Sequence, residues 1–108
     1  MANVNKATVM GVLGRDPETK QFPNGGSITT FSVATTEFWK DKTTGERKEA
    51  TEWHRSTTSN RVAEIASKYL KKGSKAYIEG SLRTRRYKDQ SGADSEVTEI
   101  RADILQLL

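Results

Sequence analysis

Apolar and polar side chains alternate along most of this 108-residue chain, one stretch alone has helical spacing, and the connections between segments are long and polar. These three observations predict an all-β fold. Residues 75–83 alternate Ala76, Ile78, Gly80 and Leu82 with polar or aromatic neighbours, and residues 28–38, rich in Thr, Ser, Val and Phe, set Phe31 and Val33 on one face, as a half-buried strand requires. Residues 60–72 carry Val62, Ile65, Ala66, Tyr69 and Leu70 at helical spacing, with Gly73 as a stop. The order is three strands, one helix, two strands. That is the order of the OB-fold, a five-stranded barrel with one α-helix between strands 3 and 4. A ferredoxin-like fold requires a second helix, for which the sequence has no pattern.

Residues 7–13 contain Val9, Met10, Val12 and Leu13 and run into Gly14, Arg15, Asp16 and Pro17, so they read as strand then turn. Gly11 within that strand marks a bulge or a close backbone approach. Residues 20–22 form a short extended piece before a turn at 23–26, whose glycines are free to take positive φ. In the next strand Phe31 and Val33 share one face, and Thr30, Ser32 and Ala34 the other. Residues 40–50 hold seven charges and read as a long exposed hairpin loop, which brings Trp39 and Trp53 near its base. Residues 51–59 are the third strand. Its end, Ser56, Thr57, Thr58 and Ser59, has no apolar side chain, so the inward face there is expected to contribute little burial. Either Ser59 or Asn60 caps the helix. The fourth strand turns Ala76, Ile78, Gly80 and Leu82 inward. It continues into Arg83, Arg85, Arg86, Tyr87 and Lys88, the densest basic stretch in the chain. A turn through Gly92 leads to the last strand, 97–105, with Ile100, Ala102 and Ile104 on one side.

The length predicts one domain spanning 1–108, burying about two thirds of its unfolded surface. With 33% hydrophobic against 30% charged residues the core is thin, and subunit association is expected to bury what one copy cannot. Eighteen Lys and Arg against fourteen Asp and Glu give a charge of +4, a moderate bias towards polyanions that a basic protein without nucleic-acid function also shows. The absence of cysteine excludes disulfides, a thiolate zinc site and a cysteine nucleophile, and fits a reducing compartment. One histidine excludes a multi-histidine metal site within the chain. The apolar run at 7–13 is too short for a signal peptide, and no stretch is long enough to span a membrane.

The functional candidates centre on Thr51, Glu52, Trp53, His54 and Arg55. Alternation puts Trp53 and Arg55 on one face of the strand, and Glu52 and His54 on the other. An aromatic plate beside a guanidinium suits bases and phosphates. Trp39, Trp53 and Tyr87 are the candidate plates, with Lys40, Arg55, Arg83, Arg85, Arg86 and Lys88 as the accompanying cations. Single strands are held in this way, each stacked base contributing roughly 1 to 3 kcal/mol. Phe31 reads as core, Tyr69 and Tyr77 as structural, and Phe22 and Phe38 are open to either role. His54 has no nucleophile elbow, His-x-His or carboxylate pair beside it, so it reads as a packed polar contact. Asp94 and Glu96 lack the further ligands a metal needs. Neither catalytic residues nor a cofactor nor a metal is expected, and the reading is a protein that holds single-stranded nucleic acid.

The stretches GRDPE at 14–18, PNGG at 23–26, TEWHR at 51–55, YLKKG at 69–73, YIEGSLRTR at 77–85 and DQSG at 89–92 are together specific. Through them the chain closely resembles the bacterial single-stranded DNA-binding protein family over nearly its whole length. The resemblance implies an OB-fold and usually a homotetramer, around which single-stranded DNA wraps without sequence preference. It also implies protection of that DNA in replication, recombination and repair, in the cytoplasm with the nucleoid. Trp39, Trp53 and Tyr87 fall where the family stacks bases, and His54 where it places a subunit-contact histidine. One departure is plain: the family follows TEWHR with apolar residues ending in a base-stacking phenylalanine, where this chain has Ser56 to Ser59. The family's flexible extension with an acidic tip recruits replication and repair enzymes. This sequence stops at Leu108, so no partner is assigned through such a tip. Two alternatives are a primosomal replication protein N-like OB-fold dimer, which TEWHR with both tryptophans argues against, and an OB-fold protein-interaction module using the same rings as hot spots.

Overall fold

The computed structural model describes residues 2–108. Six strands and one helix follow in the order β1 (Ala7–Leu13), β2 (Glu18–Gln21), β3 (Ser27–Lys40), β4 (Arg47–Ser59), α1 (Asn60–Tyr69), β5 (Lys75–Lys88) and β6 (Asp94–Leu107). The sheet runs β1-β5-β6-β4-β3-β2, and a further β1–β3 pairing at Val12↔Ala34 and Leu13↔Val33 bends it into a ring. This is the predicted OB-fold, with the helix between β4 and β5. The extended piece read at 20–22 is instead a strand over 18–21, paired with the edge of β3.

Two glycines allow the ring to close. A Cβ on Gly11 would lie 2.1 Å from the Ala34 carbonyl oxygen, so β1 crosses β3 at a distance only glycine permits. On the other side, a Cβ on Gly80 would lie 1.9 Å from the Arg101 carbonyl oxygen. At that point the β5–β6 register steps from Glu79↔Ile104 to Gly80↔Ala102, leaving Asp103 as the extra residue of a bulge. The bulge reverses the alternation beyond it. Ile104, expected inward beside Ile100 and Ala102, is 49% exposed, and Leu105 packs against the core in its place.

The core is small, as composition predicts: Leu13, Phe31, Val33, Ala76, Ile78, Ile100 and Ala102 from the sheet, with Ala66 and Leu70 beneath the helix. The helix ends at Tyr69 rather than Lys72, and its buried side chains are Ala63 and Ala66, so Tyr69 stands in solvent instead of on the apolar stripe. The rotation follows from Thr29, whose hydroxyl donates to the Ala63 carbonyl at 2.8 Å and pins that side of the helix to β3. Ser59 occupies the N-cap position without a side-chain cap bond. Ser56 and Thr58, where little burial was expected, are fully buried, and their hydroxyls donate to the carbonyls of His54 and Thr29. Small hydrogen-bonded side chains thus fill the space beneath the helix.

Two hairpin arms extend beyond the ring. β3 and β4 pair without interruption from Ile28↔Ser59 to Lys40↔Arg47, so the loop expected over 40–50 contracts to 41–46. Asp41 closes it, accepting from the Thr43 and Thr44 amides at 2.8 and 3.1 Å. β5 and β6 pair as far as Lys88↔Asp94, where Asp89 accepts from the Ser91 and Ala93 amides at 2.9 and 3.1 Å. The arms explain a radius of gyration of 16.4 Å, against about 13 Å for a compact chain of this size.

Hydrogen bonds from Ser91 and then Ala93 hold the Asp89 carboxyl below its ordinary pKa of 3.8. A lowered folded pKa means the turn is fully supported above the ordinary value and released as pH falls through the lower one. The Ser91 and Ala93 amide resonances are therefore expected to titrate with a midpoint below 3.8. A midpoint at or above that value would show that the carboxylate does not accept those bonds.

Candidate nucleic-acid interface

Strand alternation builds one outward face across the ring. On β3 and β4, Phe31 and Val33 point inward opposite Ser56 and His54, which leaves Ser32 and Ala34 outward opposite Arg55 and Trp53. On β5 and β6, Arg83, Arg85 and Tyr87 lie opposite Glu99, Val97 and Ser95. The parallel β4–β6 pairs, Ser56↔Ile100 and Thr57↔Arg101, place both outward sets on the same side. A groove of about 410 Å³ crosses that side, lined by Lys20, Arg55, Arg85, Glu99 and Arg101 among others.

Trp53 is 56% exposed and Tyr87 41% exposed, so both rings are available to a ligand. Trp53 lies against the β1–β2 loop, where a Cβ on Gly14 would sit 2.3 Å from its Cζ3 atom. The bare glycine is the ring's floor. Gly14→Ala is expected to tilt the indole, shifting tryptophan emission and weakening single-strand binding several-fold; unchanged emission and affinity would show that the ring does not rest there. Tyr87 carries the Arg85 guanidinium over its face, 5.5 Å from the ring centroid.

Glu99 ties the cations together. It is 7% exposed, and its two carboxylate oxygens accept from Arg55 Nε at 3.2 Å and Arg85 Nε at 3.0 Å. Among the described residues, these are the only hydrogen bonds the two guanidiniums make. Held by Nε, each keeps its terminal nitrogens for a phosphate, which Arg binds bidentately. Sequence reasoning missed Glu99. The signal was an acid at an outward position, beside Ile100, in a strand paired to the basic stretch.

The remaining candidates separate. Trp39 pairs with Lys48 and, by alternation, lies on the side of the β3–β4 arm opposite Trp53. It is 46% exposed and lines a second groove near the arm's tip with Phe38, Lys40 and Arg47, which by the same alternation belong to the Trp53 side. Arg86 and Lys88 lie on the reverse of the β5–β6 arm, where Arg86 meets Glu96 at 3.1 Å and Lys88 meets Asp94 at 3.3 Å. These exposed pairs are weak and leave the cations exchangeable. Arg83 stays on the Tyr87 side. His54 is on the face opposite Trp53, half-buried, with Nε2 2.8 Å from the Thr35 hydroxyl. Among the described residues, no three His, Cys, Asp or Glu side chains group as metal ligands.

The fold has a counterpart among solved structures. The structure is similar to an SSB from Plasmodium falciparum solved as a complex with ssDNA, at 35% identity and a TM-score of 0.85, covering 100% of this chain and 97% of that one. Residues 4–108 match the family model described as the single-strand binding protein family. With the ring, the arms and the match extending over nearly every residue, the chain belongs to the single-strand binding protein family.

Proposed function

We propose that this protein binds single-stranded DNA without sequence preference and protects it in replication, recombination and repair, making and breaking no bonds itself. One observation carries the reading: Trp53 and Tyr87 stand exposed on a single face, with the Arg55 and Arg85 forks held between them by Glu99. The plates take bases of any identity and the forks take phosphates. Trp39, on the other side of the β3–β4 arm, serves a strand that wraps around that arm, and Lys40 adds charge at its tip on the Trp53 side; Arg83, Arg86 and Lys88 add charge along the β5–β6 arm. The working form is a homo-oligomer, a tetramer by family resemblance, placed in the cytoplasm with the nucleoid. Supporting association, Met10 and Ile104 are exposed on the outward face of β1, β5 and β6 with Tyr77 opposite Met10, and the core within one chain is thin. His54 takes part in a subunit contact, as the family resemblance implies.

Titration with oligo-dT at low salt is expected to quench tryptophan fluorescence, and log affinity to fall with log salt at about −0.7 per phosphate contacted. Light scattering is expected to give the mass of four chains. A two-chain mass would favour the primosomal replication protein N-like dimer. Absence of quenching, with salt-insensitive capture of a protein partner, would leave the rings as protein-interaction hot spots.

A further inference from the structure

The groove on the outward face has an aromatic wall outside the set of plates named so far. Phe22 is 43% exposed and lines it together with Ile28, beside Lys20, Arg55 and Arg85. The β2–β3 register fixes its direction: Lys20↔Ile28 is an outward pair, whereas the Thr19 hydroxyl meets the buried Thr29 hydroxyl at 2.8 Å, so Phe22 follows Glu18 and Lys20 on the outward side. Its backbone is held as well. The Phe22 amide donates to the Gly26 carbonyl at 2.8 Å, and its carbonyl accepts from the Gly25 amide at 3.0 Å, which anchors the residue at the base of a tight turn.

We infer that Phe22 is a base-stacking plate of this groove. An unpaired base lies on its ring, against Ile28, while the free guanidinium nitrogens of Arg55 and Arg85 hold a neighbouring phosphate. A groove of about 410 Å³ falls within the size range of small-ligand sites. Ser59, opposite Ile28 in the β3–β4 register, lines the same groove with a side chain too small to fill it, so the space above Phe22 stays open. The inference rests on the single-stranded DNA reading and deepens it, adding a plate on β2's side of the ring to those on β4 and β5.

The test titrates oligo-dT, labelled for anisotropy, with the wild type, Trp53→Ala, Phe22→Ala, Phe22→Tyr and Phe22→Leu. Phe22→Ala and Phe22→Leu are expected to weaken binding about five- to a hundredfold, the loss of one stacked base, with an unchanged salt slope because no phosphate contact is removed. Phe22→Tyr keeps a plate and is expected to stay near wild type. Adding Ser59→Phe to Phe22→Ala supplies a ring from the facing strand and is expected to regain affinity. If Trp53→Ala weakens binding while Phe22→Leu binds like the wild type, the inference is overturned and the wider reading stands. If the wild type fails to bind, both fall together.

Discussion

Replacing Trp53 with alanine is expected to weaken oligo-dT binding by several-fold to about a hundredfold, the range set by 1 to 3 kcal/mol per stacked base. Trp53 is more than half exposed and rests on the backbone of Gly14, so its removal opens no core cavity, and the unfolding temperature is expected to stay close to wild type. The loss should appear as a vertical shift of the log affinity against log salt line at constant slope, because the indole contacts a base and neutralises no phosphate. Anisotropy of a labelled oligonucleotide reads this without relying on the indole that has been removed. Trp53→Phe keeps a smaller plate and should lie between the two. Equal affinity for Trp53→Ala and wild type would mean that the bases do not touch this ring.

The second large effect concerns the fold. Gly80→Ala puts a methyl group 1.9 Å from the Arg101 carbonyl oxygen and 2.9 Å from the Ala102 Cα, and both obstacles are backbone. Relief requires β5 and β6 to separate at the bulge that turns Ile104 outward and Leu105 inward. The cost is expected at or above the upper end of ordinary overpacking, about 1 to 3 kcal/mol. In a domain of this size each kcal/mol lowers the unfolding temperature by roughly 4–8 °C. Thermal unfolding followed by circular dichroism measures it, and an unchanged midpoint would mean that the strands do not approach as closely as described.

Where the letters follow local rules, the sequence was informative. Alternation over 28–38 gave the inward Phe31 and Val33, and Gly11 announced a close approach that proved to be the crossing of β1 over β3. Alternation also separates Arg85 and Tyr87 from Arg86 and Lys88, although the basic stretch was read as one cluster. What escaped depends on register between distant strands. The bulge at Asp103 arises where β6 meets Gly80, and nothing within residues 97–105 marks the change of phase. Trp39 and Trp53 lie on opposite sides of their arm because Ala34, not Thr35, pairs with Trp53, a parity no composition reveals. Glu99 acquires its two guanidiniums only when β4 and β5 flank β6. The aromatic that the resemblance places after TEWHR is replaced by Ser59, while Phe22, left open between core and plate, faces the same groove from β2's end.

Single-stranded DNA is proposed to lie on the outward face of β2 through β6, between Trp53 and Tyr87. Nuclear magnetic resonance of nitrogen-labelled protein titrated with oligo-dT tests it most directly, through the Trp53 indole and the Arg55 and Arg85 Nε signals. These three are expected to shift together and saturate with the binding curve, while the backbone amides of Met10 and Tyr77 stay in place. Stationary Trp53, Arg55 and Arg85 signals, with shifts confined to Met10, Tyr77 and their neighbours, would contradict it.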